Sequence, residues 1–217
     1  MKRLHDDLKQ IRTDYSSAEL GEQSILKDPF RQFKKWMEEA ILSQVPEPTA
    51  MSFATVNLRG RPSVRILLLK GFDERGFCFY SNYNSRKAQE IERNAWSAMT
   101  FFWPELERQV RVEGFVTKIS VEESDEYFLS RPRESRLGAW ASPQSETIPN
   151  REYLDEKVGE ATNRFESKEV TRPPYWGGYL LSPDRIEFWQ GRLSRLHDRI
   201  LYSLQADSSW KIERLAP

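Results

Sequence analysis

Arg195, His197 and Arg199 recur at a spacing of two within the segment 186–199, IEFWQGRLSRLHDR. In an extended chain alternate side chains share a face. Two guanidiniums would then flank one imidazole, with Leu196 and Asp198 pointing the other way. Arginine presents a planar fork of donors suited to phosphate or carboxylate, so such a face fits a small anionic or electron-rich ligand. A solvated strand edge with a structural histidine accounts for R-x-H-x-R equally well. Trp189, just upstream, and basic clusters elsewhere in the chain weigh toward a site.

Two further stretches offer anion chemistry. Segment 85–94, SRKAQEIERN, reads as a short helix whose first turn holds Arg86 and Lys87. Cations there oppose the helix macrodipole unless an anion also sits on the free backbone N–H groups; a solvated basic pair is the alternative. Segment 130–140, SRPRESRLGAW, gathers Arg131, Arg133 and Arg136 with Ser130 and Ser135, just after Tyr127. It reads either as a phosphate cradle or as a helix surface paired with Glu126 and Glu134. The chain has no G-x-G-x-x-G after a strand, no Walker A loop, no H-E-x-x-H and no G-x-S-x-G. Cys78 lies in an apolar strand and reads as core. Cationic and hydroxyl donors among aromatics, with no obvious nucleophile, suit an enzyme whose cofactor does the chemistry while the protein binds and orients.

The elements that position these residues follow from periodicity. Asp28-Pro29 is a helix start, followed by Phe30, Phe33, Met37, Ala40 and Ile41 at helical spacing and an end near Ser43. From Met51 the period becomes two, and 51–58 with 64–69 reads as a hairpin turning at 59–62, with Arg65 and Lys70 at the ends of its second strand. Residues 71–76 read as a turn, 77–81, 95–103 and 107–119 as strands, with a bulge at Gly114. Ser120 and Glu123 form a capping box. Leu154, Val158, Ala161 and Phe165 mark an amphipathic helix. Residues 176–181 and 185–190 read as two strands around Ser182-Pro183-Asp184, and 195–204 with 210–215 as a closing hairpin. Strands joined mostly by short turns favour an antiparallel barrel with flanking helices, mainly β, over a parallel α/β sheet. We expect one domain, 29–217, preceded by a flexible segment, 1–28, in which Arg12, Asp14 and Tyr15 form either a lid or a frayed tail.

Bulk composition excludes several classes. With 33 basic and 33 acidic residues the net charge is zero, which argues against a general nucleic-acid binder. One cysteine and two histidines rule out an intramolecular disulfide and argue against a cysteine or histidine metal site, so no metal is expected. No apolar run approaches the ~18 residues of a membrane span, and no signal-peptide pattern opens the chain. A cytoplasmic protein that does not engage membranes is the expectation.

Separated stretches of this sequence resemble the pyridoxamine/pyridoxine 5′-phosphate oxidase family. They are RILLLKGFDERGFCFYSNYNSRKAQEI, LERQVRVEG, YFLSRPRESRLGAWAS with QS following, IEFWQGRLSRLHDR and the closing WKIERLAP. The match runs in order and spacing from about residue 28 to 217, with a shorter match at IRTDY, where Thr13 replaces the more usual basic residue. The resemblance implies an FMN-binding split β-barrel that works as a homodimer with FMN at the subunit interface. It implies that Arg65, Ile66, Leu67, Leu68, Leu69 and Lys70 line the FMN, with Arg65 on its phosphate side. Tyr80 and Ser81 contact FMN, Arg86 and Lys87 hold its phosphate, and Gln109 bonds the isoalloxazine edge. Gln144, Ser145, Trp189 and Arg199 complete that pocket, partly from the other subunit. Lys70, Tyr127, Arg131 and Ser135 hold the substrate phosphate, Arg195 and His197 flank the pyridine ring as catalytic residues, and Arg12, Asp14 and Tyr15 form the lid. The implied reaction oxidises pyridoxine 5′-phosphate or pyridoxamine 5′-phosphate to pyridoxal 5′-phosphate by hydride transfer from C4′ to FMN, with O2 reoxidising the flavin to give H2O2. The task is then to hold the pyridine against the flavin at near-attack distance, with Arg195 stabilising developing negative charge. An imidazole that titrates near neutral pH makes proton exchange at His197 a hypothesis; an unchanged rate and pH profile in His197→Asn would reject it.

Three other readings compete. A non-catalytic flavin or pyridoxal phosphate carrier could dispense with Arg195 or His197, and both are present. A flavin reductase or F420-type oxidoreductase would lack the Tyr127, Arg131 and Ser135 set. A nucleic-acid-binding barrel sits poorly with zero net charge.

Overall fold

The computed structural model describes Tyr15 and residues 18–217. In chain order the elements are helix α1 (Pro29–Leu42), strands β1 (Ala50–Val56), β2 (Pro62–Leu68), β3 (Gly71–Asp73) and β4 (Gly76–Asn82), helix α2 (Arg86–Arg93), strands β5 (Trp96–Trp103) and β6 (Arg108–Lys118), helices α3 (Val121–Ser130), α4 (Arg133–Ala141) and α5 (Arg151–Arg164), and strands β7 (Trp176–Gln190), β8 (Asp198–Leu204) and β9 (Trp210–Arg214). The strands join in the order β2-β1-β5-β6-β7-β4-β3, with β8 on β7 and β9 on β8. The pairs β1–β2, β3–β4, β4–β7, β7–β8 and β8–β9 are antiparallel. No helix among the described residues is long and apolar enough to cross a membrane.

The chain divides into two compact units. One holds the chain up to Pro48, Thr100–Val112 and Arg185–Pro217; the other holds Thr49–Met99 and Glu113–Asp184. In the first, Asp28 caps α1 by accepting the Phe30 and Arg31 amides at 2.8 and 3.1 Å, and Pro29 occupies a position where no helical N–H is needed. Phe33, Trp36, Met37 and Ala40 form the buried stripe. Phe33 packs on Phe101 and Trp36 on Phe188, at 5.1 and 5.2 Å between ring centroids. Ile41, expected in that stripe, is exposed.

In the second unit β1 and β2 form the expected hairpin, in register from Ala50↔Leu68 to Val56↔Pro62, and turn at Gly60, whose φ of 73° suits glycine. Residues 71–73, expected in a turn, form the short strand β3. The capping box at Ser120 and Glu123 is present in both directions. Phe128, Leu137, Ala161, Phe165, Val170 and Trp176 make the core under the helices. Only part of the expected α5 stripe takes part, since Val158 is exposed.

Two expected breaks take another form. The strands expected at 176–181 and 185–190 are one continuous β7 that changes partner. Its first part pairs with β4 up to Leu181, and its last part pairs with β8 from Arg185. Pro183 falls between those two ladders, where its missing N–H goes unneeded. Gly114, expected to mark a bulge, answers to a close approach. A Cβ there would lie 2.2 Å from the Ser182 carbonyl oxygen and 2.7 Å from Pro183 Cα.

Candidate active site

The second unit gathers most of the predicted anion ligands. β4 delivers Ser81 and the following helix start delivers Arg86 and Lys87. Lys87 is buried. Its ammonium donates to Ser81 Oγ at 2.8 Å, Ser85 Oγ at 3.2 Å and Gln144 Oε1 at 3.1 Å. All three are neutral oxygens. Burial, reinforced by the nearby Arg65 charge, pushes this ammonium down to about 8. An incoming anion would reverse that push.

Arg65 projects from β2, its guanidinium donating to Phe53 O at 3.1 Å, Thr55 Oγ1 at 2.7 Å and Ser63 Oγ at 2.6 Å. Beside it lies Glu90, a buried carboxylate of α2. Glu90 Oε2 accepts from Thr55 at 2.5 Å and Ser63 at 2.6 Å, and sits 3.5 Å from Arg65. Its Oε1 accepts from Arg86 Nε at 2.9 Å. Burial pushes this carboxyl up, but the bonds from Ser63, Thr55 and Arg86 prevail and hold it at about 2.

A cavity of about 480 Å³ opens in this unit, lined by Ile66, Leu67, Leu68, Lys70, Tyr80, Ser81, Tyr127, Arg131, Ser135 and Gln144, with Trp176 behind. Tyr80 and Tyr127 stack at 3.8 Å, and Tyr80 lies nearly parallel to Trp176 at 5.5 Å. Arg131 sits over the Trp176 ring at 4.6 Å. Its NH1 is buried with no hydrogen-bond partner among the described residues, and burial lowers its pKa from the ordinary value. A guanidinium over an indole ring with an unsatisfied donor is able to accept an anionic partner.

The first unit holds the signature segment in a different shape from the extended one expected. Leu193–Arg195 is a single 3-10 turn, and Ser194 and Arg195 have φ of 56° and 61°. This left-handed pair breaks the alternation, so Arg195, His197 and Arg199 do not share a strand face. Gly191 packs under the Tyr15 ring, where a Cβ would fall 2.7 Å from Cγ. The Arg192 amide donates to His197 Nδ1 at 3.1 Å and closes the loop. The neutral imidazole therefore carries its proton on Nε2. Burial first, and the Arg195 charge second, lower the His197 pKa. His197 lies 4.6 Å from Trp189 and 5.8 Å from Tyr15, ring to ring. Arg199, on β8, forks onto buried Glu187 at 2.8 and 3.0 Å.

Residues 37–164 match the family described as Pyridoxamine 5′-phosphate oxidase, and residues 176–217 match the Pyridoxine 5′-phosphate oxidase C-terminal dimerisation region. The chain belongs to the pyridoxamine 5′-phosphate oxidase family. Similar curated proteins include the pyridoxine/pyridoxamine 5′-phosphate oxidases of Trichormus variabilis, 54% identical over 97% of this chain and 98% of that protein, and of Neisseria gonorrhoeae, 55% identical over 97% and 100%. Among solved structures, PhzG from Burkholderia lata 383, in complex with tetrahydrophenazine-1-carboxylic acid, covers 93% of this chain and 100% of its own at 28% identity and a TM-score of 0.87. A pyridoxamine 5′-phosphate oxidase-related, FMN binding protein from Nostoc punctiforme covers 89% and 100% at 22% identity and a TM-score of 0.70. The fold is the antiparallel split barrel with flanking helices that the sequence led us to expect.

Within this family member the predicted site residues fall into two groups, one per unit. Arg65, Ile66, Leu67, Leu68, Lys70, Tyr80, Ser81, Arg86, Lys87, Tyr127, Arg131, Ser135, Gln144 and Ser145 belong to the second unit. Leu69 does too, but it is buried in the core and is not among the cavity-lining residues. Gln109 (half-buried on β6), Tyr15, Trp189, Arg195, His197 and Arg199 belong to the first unit. Arg12 and Asp14 lie outside the described residues. Arg133 turns away from any anion, donating to the Phe165 and Lys168 carbonyls beyond α5. Sequence reasoning passed over Trp176, Glu90 and Glu187. Only Glu90 left a local trace, its spacing of four from Arg86.

Proposed function

We propose that this protein is an FMN-dependent oxidase that converts pyridoxine 5′-phosphate and pyridoxamine 5′-phosphate to pyridoxal 5′-phosphate. The observation that carries the reading is the cavity of the second unit, where the unsatisfied Arg131 guanidinium stands with Lys70, Tyr127 and Ser135. That donor set suits a phosphate monoester, and the curated relatives bear the corresponding name. The residues present also fit FMN. Buried Lys87 has only neutral oxygens around its ammonium, Arg65 and Arg86 stand beside it, and Ile66, Leu67, Leu68 and Tyr80 offer an apolar wall.

Arg65, Arg86, Lys87 and Ser81 would hold the FMN phosphate. Gln109, Gln144, Ser145, Trp189 and Arg199 would complete the pocket, partly from the other subunit of a homodimer. The dimer is supported by the match to a dimerisation region and by the exposed apolar face of β2, formed by Val64, Ile66 and Leu68. Bound FMN would supply the redox chemistry, a hydride acceptor for the substrate C4′ that O2 regenerates with release of H2O2; with the amine substrate, water would then hydrolyse the substrate imine and release ammonia. The protein's own part is positional. Lys70, Tyr127, Arg131 and Ser135 anchor the substrate phosphate, which fixes the ring at near-attack distance. Arg195 and the Nε2–H of His197 donate to the pyridine and its 3-hydroxyl, stabilising negative charge as it develops. Tyr15, set against Trp189 and His197, would help cover the bound substrate. A cytoplasmic location fits this role.

The test is aerobic turnover of the FMN-loaded protein. Pyridoxal 5′-phosphate, trapped as a Schiff base, and peroxide are expected in equal amounts from pyridoxine 5′-phosphate. Bound flavin with no product from either vitamer would leave a carrier and reject the oxidase.

A further inference from the structure

Glu90 is a buried carboxylate placed where an anion is to bind, and by Coulomb's law alone it opposes that anion. Its contacts account for its presence. Each carboxylate oxygen serves a different arginine of the phosphate group: Oε1 accepts from Arg86 Nε, and Oε2 lies beside Arg65 NH2. Thr55 and Ser63 bond both to Oε2 and to the Arg65 guanidinium, so carboxylate, hydroxyls and guanidinium lock one another in place. Arg65, Arg86 and Lys87 carry three positive charges, and Glu90 leaves a net two. A phosphate monoester carries about −1.5 to −2 at neutral pH, so the cluster matches its ligand in charge. Without Glu90 three cations would crowd one half-buried site, and mutual repulsion would turn the guanidiniums outward.

We infer that Glu90 is a positioning residue: it aims Arg65 and Arg86 and sets the charge of their cluster, so that the site selects a flavin carrying a phosphate over one without. The inference rests on the FMN reading above. A glutamine at position 90 keeps the shape but presents one oxygen and one NH2, so it must set a donor against either Arg86 or the Thr55, Ser63 and Arg65 group.

The experiment compares dissociation constants for FMN and for riboflavin, which lacks the phosphate, on the full chain freed of flavin, in wild type and Glu90→Gln. FMN is expected to weaken by about tenfold or more, the scale of one lost charge-assisted hydrogen bond, with riboflavin affinity unchanged. Equal weakening for both flavins would make Glu90 a purely structural tie between α2 and the β1–β2 hairpin and overturn the inference while leaving the FMN site standing. No change for either flavin overturns it as well. A wild type that binds neither flavin overturns the FMN reading itself, and the inference with it. Should Glu90→Gln not fold, Ser63→Ala removes one donor from the same carboxylate oxygen and from Arg65. It is expected to lower the preference for FMN in the same direction by a smaller factor, and an unchanged preference counts against the inference.

Discussion

Lys87 shows how a single residue declares a ligand. A buried ammonium among neutral oxygens, pushed down to about 8 from an ordinary 10.5, lacks a counter-charge. Because its pKa is lowered on folding, the unfolded chain binds more protons between those values. Without an anion, this group therefore adds stability as pH rises from 8 toward 10.5. On the function proposed above, the FMN phosphate would favour the charged form, so that binding near pH 8 would take up a proton. Affinity for FMN is expected to fall by up to about tenfold per pH unit above about pH 8, with little change for riboflavin. Lys87→Arg, which stays charged, should flatten the dependence. Flavin titrations from about pH 7 to about pH 9.5 check this, and a wild-type FMN affinity that is constant over that range would contradict it. That Arg86 and Lys87 open a helix was legible because a helix start is a local signal. The roles of Thr55, Ser63 and Glu90 were not, because they converge only when the hairpin folds onto α2.

At the scale of the element, short-range signals read true and long-range ones did not. Asp28-Pro29 and the Ser120 capping box are settled within four residues, and both form as expected. The turn at 193–195 carries no glycine or proline to announce it. It uses left-handed Ser194 and Arg195, neither a glycine, and is closed by the Arg192–His197 bond. Strand alternation therefore misled at the signature segment. Gly114 is a contact between strands that the sequence shows only as a glycine. Replacing it with alanine sets a Cβ against the β7 backbone, and we expect a loss of about 3 kcal/mol, or roughly 6–12 °C in melting temperature. Gly159→Ala, in open space on α5, should instead gain about 0.5–1 kcal/mol. Thermal unfolding of the two variants decides the matter, and equal melting temperatures would count against the close approach.

At the scale of the whole molecule, the fold class was legible because period-two segments joined by short turns permit few architectures. The way the site residues divide between two compact units was not legible, since neighbouring stretches of the chain such as 180–184 and 185–190 belong to different ones. The function proposed above asks the cavity of the second unit, with its aliphatic and aromatic walls and its Arg131 donor, to hold a phosphorylated ring while a hydride leaves it. The most direct test is to add pyridoxamine 5′-phosphate to the FMN-loaded protein without oxygen and follow the flavin absorbance. The account predicts bleaching that Arg131→Met slows at low substrate, followed by full recovery of the oxidised spectrum on admitting air. A flavin spectrum that stays unchanged at saturating substrate would contradict it.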